Sequence, residues 1–128
     1  MSNYGYSKRL QVSFDEAVER AVTALKEQGF GILTDIDVKE TLKKKLDVDF
    51  KQYRILGACN PPQAYKALQL EEELGLLLPC NVIVYEKDSD VIVSALKPSV
   101  AFTIVENTQL ESVASEVEQI LKQVIDNV

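Results

Sequence analysis

The strongest pattern in the chain is a wide apolar stripe at helical spacing, which runs over residues 110–125. Thr108 and Glu111 stand at its start with the spacing of a capping box, in which each side chain satisfies a free backbone N–H. A helix with an apolar face this wide has to bury that face against another layer of structure. The sequence therefore predicts a long C-terminal helix that covers one face of a sheet.

A second amphipathic helix is predicted near the other end of the chain. Ser13 and Glu16 form a capping box, and apolar residues follow at helical spacing over residues 14–25. Gly29 ends the pattern, because glycine enters the left-handed conformation at a helix end without strain. This is the clearest start and stop signal in the sequence.

Between and around these helices, alternating or continuous apolar runs predict about five strands. A short surface helix capped by Asp37 and a third helix that starts at Asn60-Pro61 and runs to about residue 73 separate some of them. A buried connector is expected over residues 74–79, and a hairpin joins the last two strands. The predicted strands are residues 4–12, 30–36, 53–59, 80–86 and 91–96.

These elements predict an α+β fold in the order β-α-β-α-β-α-β-β-α. The sheet is expected to be mixed or mainly antiparallel, with the helices packed on it and the long helix last. At 128 residues the chain has the length of one domain, assigned to residues 1–128.

Composition excludes several kinds of function. The chain has no histidine, which is the commonest general acid–base group near neutral pH and the commonest metal ligand. Within one chain this excludes Ser-His-Asp and Cys-His catalytic sites and metal sites built from histidine and carboxylates. The net charge is −6, and the one basic cluster, Lys43-Lys44-Lys45, is explained as a solvated helix face rather than a phosphate site, so nucleic acid is not an expected partner. Residues 1–10 lack the apolar stretch of a secretory signal, and no apolar run is long enough to span a membrane. We expect a cytoplasmic protein without a membrane partner.

The only two cysteines, Cys59 and Cys80, are each followed by asparagine, in the phrases Cys59-Asn60 and Cys80-Asn81. The first phrase ends a predicted strand and the second begins the next one. Antiparallel pairing of the two strands would bring both phrases to one end of the sheet, whereas parallel pairing would separate them by roughly 15 to 20 Å. The sequence leaves the sense of pairing open.

Several interpretations of the cysteines remain open. They can be small buried hydrophobic residues, which is a common use of free cysteine. They can also form a redox or nucleophilic pair, a structural disulfide, or part of a metal site, although two thiolates do not complete a zinc shell. Asn60 is explained as a helix cap, whereas Asn81 lies in a strand, where asparagine is uncommon. Tyr85 completes the candidate site, which consists of Cys59, Asn60, Cys80, Asn81 and Tyr85.

The stretches LGACNPPQAYKAL and GLLLPCNVIVYE closely resemble the bacterial and archaeal domain-of-unknown-function family numbered 302. The diagnostic part is the order C-N-P, a helical stretch, then L-P-C-N-V and V-Y-E. The resemblance covers nearly the whole chain, and it implies a compact α+β domain that is dimeric. It also favours a short helical turn over a strand at residues 99–105. It implies no activity and assigns no catalytic residue.

The sequence supports two hypotheses about function. The first is a non-enzymatic module that binds a small ligand or a partner and acts as a homodimer, with the apolar segment 74–78 reaching the subunit interface. The alternative is a thiol-dependent redox or sulfur-handling protein that uses Cys59 and Cys80. No cofactor and no metal are expected, and whether the protein is an enzyme stays open.

Overall fold

The chain forms five strands and five α-helices within residues 2–128, which are the residues described by a computed structural model. Two 3₁₀ segments, Glu72–Leu77 and Phe102–Ile104, complete the structure. In chain order the strands and helices are β1 (Gly5–Leu10), α1 (Phe14–Glu27), β2 (Gly31–Asp37), α2 (Val38–Leu46), β3 (Tyr53–Cys59), α3 (Pro61–Leu70), β4 (Cys80–Lys87), β5 (Asp90–Leu96), α4 (Pro98–Ala101) and α5 (Leu110–Asp126).

The five strands form one sheet in the order β1-β5-β4-β3-β2, and every neighbouring pair is antiparallel. The central strand is β4. The prediction of an α+β fold with a mainly antiparallel sheet and a long last helix is confirmed, and the order of elements is the predicted one.

One face of the sheet carries the core. The helices α1 and α5 pack on this face, and Leu25, Leu121 and Ile125 are fully buried there. Leu56 and Val82 meet them from the sheet. Because side chains alternate along a strand, the residues between the core positions point to the opposite side of the sheet. That second face is covered by neither α1 nor α5.

Two predicted helix starts are confirmed by their capping hydrogen bonds. Ser13 Oγ accepts a hydrogen bond from the backbone N–H of Glu16 at 3.1 Å, and Asp37 Oδ1 accepts one from Glu40 N–H at 3.0 Å. Gly29 has a φ of +81°, the left-handed conformation expected after α1. The short α2 has no buried residue within the described chain, as expected of the predicted surface helix.

The start of α5 differs from the prediction. Thr108 does not cap the helix, which begins at Leu110 without a side-chain cap from any described residue. Asn107 organises this turn instead: its Oδ1 accepts a hydrogen bond from Gln109 N–H at 3.0 Å, and its Nδ2 donates to the Leu70 carbonyl at 2.8 Å. A tertiary contact to the end of α3 thus replaces the local capping box. The short helical turn favoured at residues 99–105 is present as α4 and the 3₁₀ segment that follows it.

The expected buried connector over residues 74–79 is also different. Most of it is a 3₁₀ segment, and α3 already ends at Leu70. Leu74 is buried, but Leu76 is 82% exposed. The 3₁₀ turn sends successive side chains in different directions, so one part of the segment enters the core while another faces solvent.

None of the helices in residues 2–128 has both the length and the apolar character needed to cross a membrane.

Candidate functional site

The antiparallel pairing of β3 and β4 brings the two Cys-Asn phrases to the same end of the sheet. Ala58 lies opposite Cys80, and Gly57 lies opposite Asn81. Cys59 therefore ends β3 directly beside the first residue of β4. The sequence left the sense of strand pairing open; the antiparallel pairing found here places both cysteines at the same end of the sheet.

Both thiols line a cavity of about 310 Å³ at this end of the sheet. Its floor comes from the ends of β3 and β4, its roof from α3, and one wall from α5. Aliphatic and aromatic side chains dominate the lining, and both cysteines are free. The apolar residues that define its shape include Phe30, Ala64, Leu68, Leu78, Phe102 and Val117.

Local sequence explains why the cavity forms here. The prolines at residues 61 and 62 end the strand ladder, and Pro61 starts α3, where its missing N–H costs nothing. The helix then passes over the end of the sheet. On the other side, Pro79 approaches Gly57 so closely that a Cβ at Gly57 would lie 2.9 Å from Pro79 Cγ. Glycine at this position leaves room for the ring of Pro79, which lines the cavity.

Asn60 occupies the N-cap position of α3, but its side chain makes no capping hydrogen bond within the described chain. Asn60 therefore has the predicted position at the start of the helix, but the prediction that its side chain caps the helix is wrong. Asn60 Nδ2 instead lies beside Gly29, 3.6 Å from where a Cβ on that glycine would stand. A cap accepts a hydrogen bond from the N–H of the second or third helical residue, and Pro62 at the second position has none. The amide of Asn60 is left to line the cavity.

Gln63 is a cavity residue that the sequence did not single out. Its Oε1 is buried and has no hydrogen-bond partner among residues 2–128. An unpaired buried acceptor costs about 1 to 3 kcal/mol, so such an atom is usually paired. No local signal marks Gln63, because a glutamine in the first turns of a helix is normally solvated.

The two thiols differ in environment. Cys80 is 6% exposed, and burial raises the pKa of its thiol to about 11, with a smaller contribution from the neighbouring Cys59. Cys59 is more accessible. Because the pKa of Cys80 lies well above neutral, its thiol stays protonated at pH 7 and is a weak nucleophile.

The structure separates Asn81 and Tyr85 from the other three predicted site residues. Cys59, Asn60 and Cys80 line the cavity, whereas Asn81 and Tyr85 lie on the opposite face of the sheet. Tyr85 stacks on Tyr53 with 5.4 Å between ring centroids, and Lys51 Nζ lies 5.0 Å from the Tyr85 ring. The predicted set of five residues is thus two groups on two faces.

Within residues 2–128 there is no cluster of three or more metal-ligating His, Cys, Asp or Glu side chains. The thiol pair stands among apolar groups and two amides, Asn60 and Gln63. Such a lining suits a small organic molecule with a mostly apolar body.

Comparison with known proteins agrees with the fold. The crystal structure of an uncharacterized conserved protein DUF302 from Bacillus stearothermophilus superposes with a TM-score of 0.92 at 28% sequence identity, over 98% of each chain. A search of the curated proteins found no match. The family model described as "Domain of unknown function DUF302" matches residues 6–128. The chain therefore belongs to the DUF302 family.

Proposed function

We propose that the protein is a non-enzymatic module that binds a small, mostly apolar molecule in the cavity beside Cys59 and Cys80. The observation that carries the proposal is an apolar cavity lined by Gln63, whose Oε1 is buried and has no partner among the described residues. A ligand with a single N–H or O–H donor on an apolar body fills the space, and a turn of the Gln63 side chain brings that acceptor to the donor. A volume of about 310 Å³ equals that of roughly ten water molecules, so the ligand is small.

Indole is a suitable probe because it is apolar and carries one N–H donor. The chain has no tryptophan, so no indole group of the protein itself contributes to the indole fluorescence. We expect a blue shift on binding, and 1-methylindole, which lacks the donor, should bind about fivefold more weakly. In the variant Gln63→Leu the two probes should bind equally. Equal binding of both probes to the unmodified protein would contradict the role of Gln63.

The variant Ala64→Phe tests the cavity itself. The added ring occupies the space under α3, so we expect indole binding to weaken at least tenfold. Gln69→Phe is the matched control, since Gln69 lies on the exposed side of the same helix. Isothermal titration of both variants measures the difference. If Ala64→Phe binds indole as the unmodified protein does, the ligand site is elsewhere.

A thiol-dependent redox or sulfur-handling role is the second candidate, supported by the presence of both free cysteines in one cavity. The raised pKa of Cys80 opposes it, because thiol chemistry proceeds through the thiolate. A cytoplasmic location, where free thiols persist, is consistent with both candidates and stays a prediction.

The pH dependence of alkylation separates the two candidates. In the variant Cys59→Ala, the only thiol is Cys80. Because its pKa is about 11, the fraction of Cys80 present as thiolate at pH 7 should be roughly 100-fold lower than for an ordinary cysteine. The rate with iodoacetamide in the folded protein should therefore still rise tenfold per pH unit at about pH 9, whereas in denaturant it should level off there. A native rate that levels off near pH 7 would favour the thiol role.

A further inference from the structure

The face of the sheet opposite the cysteine cavity holds another concave site, a groove of about 370 Å³. We call it the tyrosine groove. Asn81 contributes an exposed carboxamide to it. Half of the residues that line the groove carry a hydroxyl group: Tyr4, Tyr53, Tyr85, Ser2, Ser7 and Ser94. Asn81 and Tyr85, which the sequence grouped with the cysteines, thus lie together among hydroxyl groups instead.

Strand register sets the shape of the tyrosine groove. Ser7 lies opposite Ser94, and Ser94 lies opposite Ile83, so these side chains form one row across β1, β5 and β4. Tyr53 lies opposite Tyr85 in the neighbouring row. Because cross-strand partners share a face of the sheet, the serine row forms the floor and the two tyrosines form a wall. The hydroxyls of Ser7 and Ser94 meet at 2.8 Å on this floor.

Tyr4 borders the groove from the other side. Burial, followed by the neighbouring phenols of Tyr85 and Tyr4, raises the pKa of Tyr53. The phenol of Tyr4 therefore lies near that of Tyr53, although Tyr4 precedes β1 and Tyr53 begins β3. A Cβ at Gly5 would lie 2.7 Å from Ser94 Oγ, so glycine at this position keeps the floor free of a further side chain.

Most of the polar groups in the groove are free to bind a ligand. The hydroxyl of Tyr6, outside the groove, donates a hydrogen bond to Asp126 at 2.7 Å. In contrast, none of the three groove phenols, nor the Asn81 carboxamide, is hydrogen-bonded to another side chain or to the backbone in the part of the chain that the structure describes. Phenol and carboxamide groups both donate and accept hydrogen bonds.

We propose that the tyrosine groove binds a neutral sugar through one hexose ring. Antibody binding sites are rich in tyrosine, serine, glycine and asparagine, because rigid rings supply contact area and short polar side chains supply adaptable hydrogen bonds. The groove has this composition. A hexose presents C–H groups that pack on a tyrosine ring and hydroxyls that the polar side chains bind. The volume equals that of roughly a dozen water molecules, which is enough for one ring.

The charges around the groove favour a neutral sugar over a phosphorylated or acidic one. Lys87 is the only charged side chain that lines the groove among the described residues. Near its end of the groove, three basic side chains stand with three acidic ones: Lys51, Lys87 and Arg9 with Glu86, Asp88 and Asp90. Arg9 and Asp90 are paired at 2.7 Å. Because these charges balance, an anionic group on the ligand gains no net attraction.

The arrangement of the rings favours a sugar over a flat heteroaromatic ring. Tyr53 and Tyr85 stack on each other with 5.4 Å between centroids and 19° between planes. One face of each ring is therefore already covered, and no slot remains between them for a nucleobase. A nucleobase also carries its polar groups in one plane, whereas the groove presents hydroxyls on its floor and on both sides. A hexose has hydroxyls around its whole rim.

Titration of the ¹⁵N-labelled full chain with methyl β-D-glucopyranoside, followed by NMR, tests the proposal. We expect saturable shifts of the backbone amide signals of Ser7, Asn81 and Ser94, with half-saturation on the order of 1 mM, as for a small ligand with few contacts. The signals of Cys59 and Ala64, in the cysteine cavity, should stay in place. Sorbitol, which has the hydroxyls without the ring, should bind at least tenfold more weakly.

Two variants and a matched control locate the site. Tyr4→Ala and Asn81→Ala remove exposed side chains, so both should fold normally, and each should weaken glucoside binding at least fivefold. Tyr65→Ala is the control, because Tyr65 is 67% exposed, like Tyr4 at 58%, but lies on α3 outside the groove. It should bind the glucoside as the unmodified protein does. Indole binding in the cysteine cavity should persist in all three variants, so failure of the cavity site and failure of the groove are separate results.

Several results would overturn the proposal. They include the absence of a saturable shift at tenfold higher glucoside concentration, equal binding of sorbitol, and equal weakening by Tyr4→Ala and Tyr65→Ala. Shifts of the groove signals by adenosine but not by the glucoside would assign the groove to a planar ring. If the glucoside causes no shift and light scattering gives the mass of two chains, with Tyr4→Ala or Asn81→Ala restoring that of one, the groove is covered by a second copy.

Discussion

Replacing Leu121 with alanine is expected to lower the free energy of unfolding by about 3 kcal/mol or more. Leu121 is 1% exposed and lies in the core between α5 and the sheet. Its truncation removes buried apolar contacts and leaves a cavity that a close-packed interior fills only in part. A domain of this size has a stability of about 5 to 15 kcal/mol, so the loss is a large share of the total.

Urea unfolding followed by circular dichroism measures the effect of Leu121→Ala. The control is Leu76→Ala, in which a leucine of the same size is removed from an exposed position. Its stability should change by no more than about 0.5 kcal/mol. A loss of less than about 1 kcal/mol in Leu121→Ala would mean that α5 does not seal the core as the structure places it.

Substitution of Gly57 by alanine is expected to lower stability by about 1 to 3 kcal/mol and to weaken indole binding. The new Cβ would overlap Thr34 Oγ1 and would stand 2.9 Å from Pro79 Cγ. Thr34 is exposed, and its hydroxyl can rotate away. Pro79 is a ring in the cavity wall, so it has to shift with its backbone. The same substitution therefore strains the strand pair and displaces Pro79, a residue of the cavity lining.

Gly75→Ala is the matched glycine control for stability alone, because a Cβ there meets no heavy atom of the described chain within 4 Å but Gly75 also lines the cavity. It should be neutral or slightly stabilising, since alanine restricts the unfolded chain. The double variant Gly57→Ala, Thr34→Ala separates the two overlaps. If it recovers full stability and indole binding, the hydroxyl of Thr34 is the whole obstacle and Pro79 does not define the cavity wall.

Local signals in the sequence predicted most of the fold. The apolar stripes of α1 and α5, the capping bonds of Ser13 and Asp37, and the glycine at residue 29 all involve residues within four positions of one another. Interactions over so few residues can be predicted from the spacing of residue types along the sequence. They predicted the type and order of the elements, and the motif around the two cysteines indicated the family.

The errors in the prediction arose where distant contacts decide local structure. Thr108 lost its capping role because Asn107 is tied to the Leu70 carbonyl, 37 residues away. Asn60 sits at the start of α3, but its amide lies against Gly29, which only the folded chain brings near. Leu76 faces solvent within a segment that looked uniformly apolar.

The candidate site was predicted only in part for the same reason. Spacing showed that Cys59 and Cys80 flank two strands, but the antiparallel pairing that joins them is a long-range property of the sheet. The alternation of β4 then places Cys80 in the cavity and Asn81 on the opposite face of the sheet, although they are adjacent in sequence. Sequence by itself determined the elements, because their signals are local. Tertiary structure alone decided which side chains share a cavity and which share a surface, because that depends on how distant strands pair and on which face the helices cover.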